Sequence, residues 1–204
     1  MSGFIRQFFS WVFHPIFMPL VGCLVVWYAY PSIVFLMQPP LLILLGAILL
    51  LNTILVPGIA TFYLARKKII SSLYMPDKNE RRTPFLVTAA SHVMACYMMR
   101  LFFLPKYFYL VILGAAAASF IGLIVNYKWK ISIHMLGMGG ITGITAALLN
   151  FSSNDLSYLF ILQIILSGIV GAVRIAGHEH SSEQIYTGFA VGFFCEFLIF
   201  RFLS

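Results

Sequence analysis

Long apolar stretches constrain this chain more than any other feature of its sequence. A helix needs about 20 mostly apolar residues to cross a bilayer. Only 9% of the residues are charged, whereas soluble domains carry roughly 25%, so most of the surface must face lipid. We therefore predict an all-α integral membrane protein, with residues 1–204 forming a single bundle of six to seven transmembrane helices. The predicted spans are 17–37, 41–64, 84–104, 107–126, 131–150, 157–174 and 185–203.

The first of these stretches leaves the count open between six and seven. Pro15, Pro19 and Pro31 flank or interrupt it. Proline removes a helical hydrogen bond and clashes with the preceding turn. The stretch is therefore expected to be either kinked or re-entrant.

Basic residues concentrate on one predicted face of the bundle. If all seven stretches cross, the N-terminus and the segments 66–83, 128–132 and 174–184 share one side, which carries ten of the 13 Lys and Arg residues. We call this side the basic face. The positive-inside rule would make it cytoplasmic, although the same cations can instead serve an anionic ligand. We expect an integral protein of the bacterial inner (cytoplasmic) membrane.

Three polar segments on the basic face, at 77–84, 130–134 and 174–184, contain the candidate functional residues. Ionisable groups near lipid are costly, so their clustering indicates a functional site. A solvated loop would explain one such segment, but three on one face favour a shared anion site. The candidates, in chain order, are Lys78, Arg81, Arg82, Ser132, His134, Arg174, His180 and Gln184.

The residue types in these segments suit phosphate. Arginine and lysine neutralise its charge, while a serine hydroxyl and helix N-terminal amides donate hydrogen bonds to its oxygens. Histidine can move protons or attack phosphorus. Ser132 and His134 stand at the predicted start of a helix, where the positive end of the helix dipole adds to the attraction.

The third segment resembles the signature of the type 2 phosphatidic acid phosphatase family, the membrane relatives of bacterial acid phosphatases and vanadium haloperoxidases. Arg174, His180, Gly188 and Gly192 stand at the spacings of that signature. Gln184 stands where the family has aspartate, and the serine that precedes the family's arginine is replaced by valine.

The other two segments match the family less closely. The second keeps the serine and the histidine of the family's Pro-Ser-Gly-His, as Ser132 and His134. In the first, Arg81 and Arg82 come shortly before a proline, and Lys78 is closer to them than the pattern asks. The resemblance covers about residues 76–192.

The resemblance implies a phosphatase mechanism that needs neither a cofactor nor a metal. His180 would attack phosphorus and form a phosphohistidine, His134 would protonate the leaving group, and Gln184 would orient His180. The partners implied are the lipid bilayer and a phosphorylated lipid (polyprenyl, glycerophospholipid or lipid A), and no nucleic acid. The substrate-binding residues implied are Lys78, Arg81, Arg82, Ser132 and Arg174.

Gln184 leaves two functions open. Its amide oxygen can accept the imidazole N–H, but it lacks the full negative charge of the family's carboxylate. In serine proteases, replacing the supporting acid by an amide lowers turnover by about 10⁴-fold, partly through the wrong tautomer. The chain is therefore either a lipid phosphate or pyrophosphate phosphatase, or a degenerate relative that binds or transports such lipids without turnover.

The remaining ionisable residues have simpler interpretations. His134, His178, Glu179 and His180 offer zinc-type ligands, but their spacing matches no standard zinc motif. His14 and His92 are expected to be packed, structural histidines. We expect Glu196 and Arg100 to form an ion pair, which would lower the cost of burying each.

Overall fold

The chain folds into a bundle of α-helices around one central helix. The computed structural model describes residues 3–73 and 75–204, with side chains from residue 7 onward, and this part of the chain contains no β-strand. The predicted all-helical fold class is therefore confirmed for the described residues. The helices are α1 (Gly3–Val12), α2 (Met18–Ala29), α3 (Pro31–Phe35), α4 (Pro39–Leu49), α5 (Val56–Arg66), α6 (Arg82–Leu101), α7 (Lys106–Lys128), α8 (Ile133–Leu148), α9 (Ser157–Ala176) and α10 (Ser182–Leu203).

Five helical stretches are long and apolar enough to cross a membrane, judged by length and composition: Gln7–Ala29, Pro39–Arg66, Lys106–Lys128, Ser157–Ala176 and Ser182–Leu203. Helix α8 has only 16 residues. Helix α6 is 20 residues long but includes Arg82, His92 and Arg100. These findings support an integral membrane protein and leave the crossing of α6 and α8 as an inference.

The first span lies nearer the N-terminus than the sequence predicted. It covers Gln7–Ala29 rather than 17–37, and a short 3₁₀ turn at Pro15–Phe17 separates α1 from α2. Helix α2 ends at Ala29 because Tyr30 precedes Pro31, and the residue before a proline is disfavoured in the helical conformation. The prolines therefore bend and end this span, and the bend places α1 beside the polar segments described below.

A π-helical turn joins α4 to α5 and forms a hydrogen bond with α6. It covers Leu50–Leu55 and ends two residues before Pro57, which has no N–H to donate. The Asn52 carbonyl accepts a hydrogen bond of 2.6 Å from the Ser91 hydroxyl on α6. This contact fixes the part of α6 that carries His92.

Helix α8 is the centre of the bundle, with 13 of its 16 residues buried. It packs against α10 through glycines on both helices. A Cβ at Gly139 or Gly143 of α8 would collide with backbone of α10. A Cβ at Gly192 of α10 would collide with backbone of α8, and one at Gly188 would collide with the Ser132 carbonyl, just before α8. Small residues let helices approach closely where lipid provides no hydrophobic drive for association. This close packing aligns the N-terminal ends of α8 and α10, where Ser132 and Gln184 lie.

Candidate functional site

The three polar segments meet at one end of the bundle. The Arg81 guanidinium joins the first to the second, because its Nε donates to the Met75 carbonyl at 3.0 Å and its Nη1 to the Ile131 carbonyl at 2.9 Å. The second meets the third where the Ser132 N–H donates to the Gln184 carbonyl at 3.4 Å. Residues separated by about half the chain thus share one site.

His180 is held by the start of α10 in a defined tautomer. The Gln184 Oε1 accepts the Ser181 backbone N–H at 3.3 Å and lies 2.9 Å from the His180 Nδ1. An amide oxygen can only accept, so Nδ1 carries the ring proton and Nε2 keeps its lone pair. The same Gln184 closes a capping box with Ser181, which fixes its side chain for a structural reason as well.

Cations surround the His180 ring. Burial, together with the nearby Arg81, Lys130 and Arg174, lowers the pKa of His180 to about 4. Burial also lowers the pKa of Arg81, to about 10, so Arg81 remains charged at neutral pH. His180 is thus a neutral imidazole in a positively charged environment, which suits a nucleophile for an anionic substrate.

Arg174, at the end of α9, is buried and has two partners. Its Nη1 donates to the Ser10 hydroxyl at 2.9 Å, and its Nη2 forms an ion pair with Glu179. Among the described residues this is the one ion pair between side chains. The turn after α9 brings Glu179 back onto Arg174, and in it His178 adopts a left-handed conformation with φ of 55°.

Several buried polar atoms at this end have no hydrogen-bond partner among the described residues. Four of them belong to candidate residues of the second and third segments: the Ser132 Oγ, the His134 Nδ1, the Arg174 Nε and the His180 Nε2. Buried polar groups are satisfied in about 90% of cases or more, so four such atoms in one cluster are unusual. The Ser132 and Arg174 atoms are hydrogen-bond donors, and the other two atoms are imidazole nitrogens that can exchange a proton. An anionic ligand that carries a proton needs both kinds of group.

A cavity of about 580 Å³ leads from this cluster into the bundle. Arg81, His134 and Arg174 line its polar end, and apolar side chains such as Phe85 and Ile144 line much of the remainder. Ser132 and His180, which are 0% and 6% exposed, lie beside the polar end rather than in the cavity wall. A polar end joined to an apolar interior matches an amphiphile better than a small soluble anion.

The N-terminal helix contributes to the site in a way that the sequence did not indicate. The His134 Nε2 lies 3.2 Å from the Ser10 carbonyl, which can only accept, so Nε2 carries the proton. His14 packs edge-on against the His134 ring, with 5.8 Å between ring centroids. The sequence predicts a structural role for His14 and indicates none for Ser10, because no spacing relates residue 10 to residues 134 or 174.

Two predicted cations lie apart from the others. The Lys78 Nζ donates to the carbonyls of Tyr127 and Lys128, each at 3.1 Å, and so caps the end of α7. The Arg82 guanidinium stacks over the Tyr127 ring, 4.4 Å from its centroid. The structure therefore groups Arg81, Ser132, His134, Arg174, His180 and Gln184, whereas Lys78 and Arg82 engage α7.

The other ionisable residues give a mixed result. No group of three or more His, Cys, Asp or Glu within the described ranges could hold a metal ion. The predicted Glu196–Arg100 ion pair is wrong, because the Arg100 guanidinium lies over the Tyr109 ring, 5.6 Å from its centroid. The cation–π contact at a helix end satisfies Arg100 without an acidic partner.

Comparison of the chain with protein-family models, with curated proteins and with solved structures finds no match. The site is therefore interpreted from its own residues and geometry, and the resemblance described above stays a prediction.

We expect Glu179→Gln to strengthen anion binding by up to about fivefold. Glu179 forms an ion pair with Arg174, but the Glu179 side chain is 38% exposed. Ion pairs that are partly exposed stabilise a protein by only about 0–1 kcal/mol. A phosphate dianion that binds the guanidinium with two oxygens can displace it. Titration of the purified protein with orthovanadate measures the effect. Glu183→Gln is the matched control, since Glu183 is exposed and bonds Ser181 instead, and equal affinities of the two variants would contradict the expectation.

We expect the His180 ring to remain neutral in mildly acidic solution. Its pKa is lowered to about 4, from an ordinary value of about 6.5, so the neutral form persists as the pH falls between these two values. Stability should fall as the pH drops from 6.5 to about 4, because only the unfolded chain binds the proton in that range, and below pH 4 the native ring also loses its free lone pair. Histidine-selective NMR, with His180→Ala to assign the signal, measures the titration, and a midpoint at or above 6.5 would contradict this environment.

Proposed function

We propose that this protein is a membrane-embedded phosphatase that acts on a lipid phosphate or pyrophosphate. The observation that carries the proposal is the unpaired Nε2 of His180, which has the cations Arg81 and Arg174 nearby. Ser132 is joined to the same site through the Gln184 carbonyl. The resemblance to the type 2 phosphatidic acid phosphatase family, stated from the sequence, points to the same chemistry.

The proposed reaction has two displacements. The phosphate binds as a monoanion and gives its proton to the free Nδ1 of His134. The His180 Nε2 lone pair attacks phosphorus, the bond from phosphorus to the lipid oxygen breaks, and the leaving oxygen takes that proton from the His134 Nδ1. Water then attacks the phosphohistidine and gives a proton to the His134 Nδ1, which passes it to the released inorganic phosphate. Forming a covalent intermediate divides one difficult displacement into two easier ones.

Charge stabilisation in this reaction comes from Arg81, Arg174 and Ser132. Arg81 is fixed by two backbone carbonyls, so it needs no reorganisation as negative charge builds on the phosphoryl oxygens. Arg174 becomes available when the phosphate displaces Glu179. We assign Lys78 and Arg82 to positioning this end of α7 rather than to direct contact with the substrate.

Gln184 is the residue that limits the proposed activity. Its oxygen holds His180 in the attacking tautomer, so the tautomer error that accompanies an amide in serine proteases does not apply here. What an amide does not supply is a negative charge to stabilise the cationic phosphohistidine. The proposal is therefore a slow phosphatase with a correctly oriented nucleophile.

The membrane arrangement is part of the same proposal. We infer that α6 and α8 cross as well, which gives seven crossings, because α8 lies inside the bundle and does not need to match the full lipid thickness by itself. The lipid tail would occupy the apolar part of the cavity, whose volume of about 580 Å³ is typical of ligand pockets. The bacterial inner membrane, with the basic face towards the cytoplasm, fits the positive-inside rule.

The capping box favours a second candidate function. Because Gln184 has a structural reason to be present at the start of α10, the site can persist as a lipid-phosphate-binding or transport site without turnover. In that case vanadate and lipid phosphates would bind, and the binding would survive His180→Ala.

Release of inorganic phosphate by purified protein in detergent micelles tests the proposal. The substrates are phosphatidic acid, a polyprenyl diphosphate and lipid A, because the site alone does not distinguish their headgroups. We expect release from at least one of the three. Binding of all three with no release would replace the phosphatase by the binding function, and neither binding nor release would overturn both.

A further inference from the structure

The inner end of the cavity contains two buried polar side chains that the proposed phosphate chemistry does not use. Glu196 on α10 and His92 on α6 are each 3% exposed. The Glu196 Oε2 and the His92 Nδ1 have no hydrogen-bond partner among the described residues. Both residues line the same cavity as Arg81 and Arg174.

These two residues lie far from the phosphate end. At about 1.5 Å per residue, Glu196 is about 21 Å along α10 from Ser182, and His92 is about 15 Å along α6 from Arg82. Apolar lining residues, among them Phe85 and Leu136, belong to the cavity between the two ends. Glu196 lies against Gly114 of α7, and His92 bonds the backbone of the adjacent Ala115, so the two residues share the inner end of one continuous cavity.

Glycines on neighbouring helices make room for the Glu196 side chain. A Cβ at Gly114 of α7 would collide with the Glu196 carboxyl group, and one at Gly140 of α8 would lie 3.5 Å from its Cγ. Within the described part of the chain Glu196 forms no ion pair, and an isolated carboxylate in apolar surroundings is so costly that the group takes up a proton instead. An ionisable residue inside a membrane bundle indicates a function unless a partner explains it.

We propose that Glu196 and His92 form a second ligand contact, which binds an uncharged oxygen on the tail of the lipid phosphate. The protonated Glu196 carboxyl donates to a hydroxyl or carbonyl oxygen, and the His92 Nδ1 accepts from a hydroxyl. This inference rests on the proposed function, because the phosphate end anchors the ligand. It names the substrate class: a lipid phosphate with an oxygenated tail is selected over one whose tail is hydrocarbon alone.

Other tail chemistries fit this region less well. A hydrocarbon tail would leave both polar side chains unsatisfied. An ammonium group would have to lose its hydration in an apolar cavity to meet a carboxyl that is neutral before binding. A neutral oxygen satisfies both side chains at the smallest desolvation cost.

Pairs of alkyl phosphates test the inference directly. Each ω-hydroxyalkyl phosphate is compared with the unsubstituted alkyl phosphate of equal length, over a series of lengths, by titration of the purified protein. We expect the hydroxyl to tighten binding about tenfold at the length that reaches Glu196, as a hydrogen bond to a buried group predicts. Glu196→Met should abolish this gain and leave the affinity for unsubstituted alkyl phosphates within about twofold.

Gln163→Met is the matched control, because Gln163 on α9 is 4% exposed and has an unpaired Oε1 but does not line the cavity. Glu196→Gln, which keeps a donor, should retain most of the gain and shows that the position tolerates substitution. If the hydroxyl improves affinity at no length, or if an ω-amino group improves it more, the proposed contact at Glu196 and His92 is overturned. Binding of the unsubstituted alkyl phosphates would still support the phosphate site. If no alkyl phosphate binds at all, the proposed function fails with it.

Discussion

We expect His180→Ala to lower phosphate release by about 10⁴-fold or more, the scale on which removal of a catalytic nucleophile acts. In the structure its Nε2 has no partner among the described residues, and Gln184 accepts the proton on its Nδ1, which leaves the Nε2 lone pair free. Alanine removes the nucleophile and leaves the cations and Ser132 in place, so vanadate binding should weaken far less than turnover. Phosphate release and vanadate affinity are measured on the same preparation.

His178→Asn is the control for this variant. His178 lies two residues away in the same turn, with φ of 55°, a conformation that asparagine tolerates better than most residues. It should keep most of the activity. Equal loss in the two variants would mean that the turn matters rather than the nucleophile, and turnover that survives His180→Ala would exclude a phosphohistidine at this position.

We expect Gly192→Ala to destabilise the protein by about 3 kcal/mol, at the upper end of the range for overpacking. A Cβ at Gly192 would collide with the Leu136 carbonyl and lie 2.9 Å from the Gly140 nitrogen. Both obstacles are backbone, so no side-chain rotation relieves the clash and α10 must move away from α8. The free energy of unfolding, from titration with a denaturing detergent, measures the effect.

The same movement should weaken the site, because the α8–α10 contact carries the pairing of Ser132 with Gln184. Gly168→Ala on α9 is the matched control, since a Cβ there meets nothing within 4 Å. It should be neutral or stabilise by up to about 1 kcal/mol through the gain in helix propensity. Similar unfolding energies for the two variants would contradict close packing at the α8–α10 contact.

Part of the site could be predicted from the sequence because helix ends impose geometry. Ser132 and His134 open one predicted helix, while Arg174 and His180 flank a tight turn between two others. If these helices all begin or end at one face of the bundle, the polar residues at their ends are expected to lie close together. The glycine spacing on α10 then accounts for the register, since Gly188 and Gly192 both face α8.

The rest could not be predicted because it depends on contacts between residues with no pattern in common. Lys78 and Arg82 belong to the first polar segment. Nothing in their spacing shows that Lys78 donates to carbonyls at the end of α7 or that Arg82 stacks on the Tyr127 ring. Ser10 reaches Arg174 only because prolines bend the N-terminal span. Charge alone pairs Glu196 with Arg100, and nothing in the sequence shows that Glu196 lines a cavity while Arg100 stacks on Tyr109.

We propose that segments distant in the chain bind one phosphoryl group, and a double-mutant cycle on vanadate binding tests this most directly. The cycle combines Arg81→Gln from the first segment with Arg174→Gln from the third. One vanadate should bind per protein, each single change should weaken it, and the two should be coupled by about 0.5–3 kcal/mol because both guanidiniums contact the same anion. Losses that simply add, or two vanadates bound independently, would mean that Arg81 and Arg174 serve separate sites and would contradict the account.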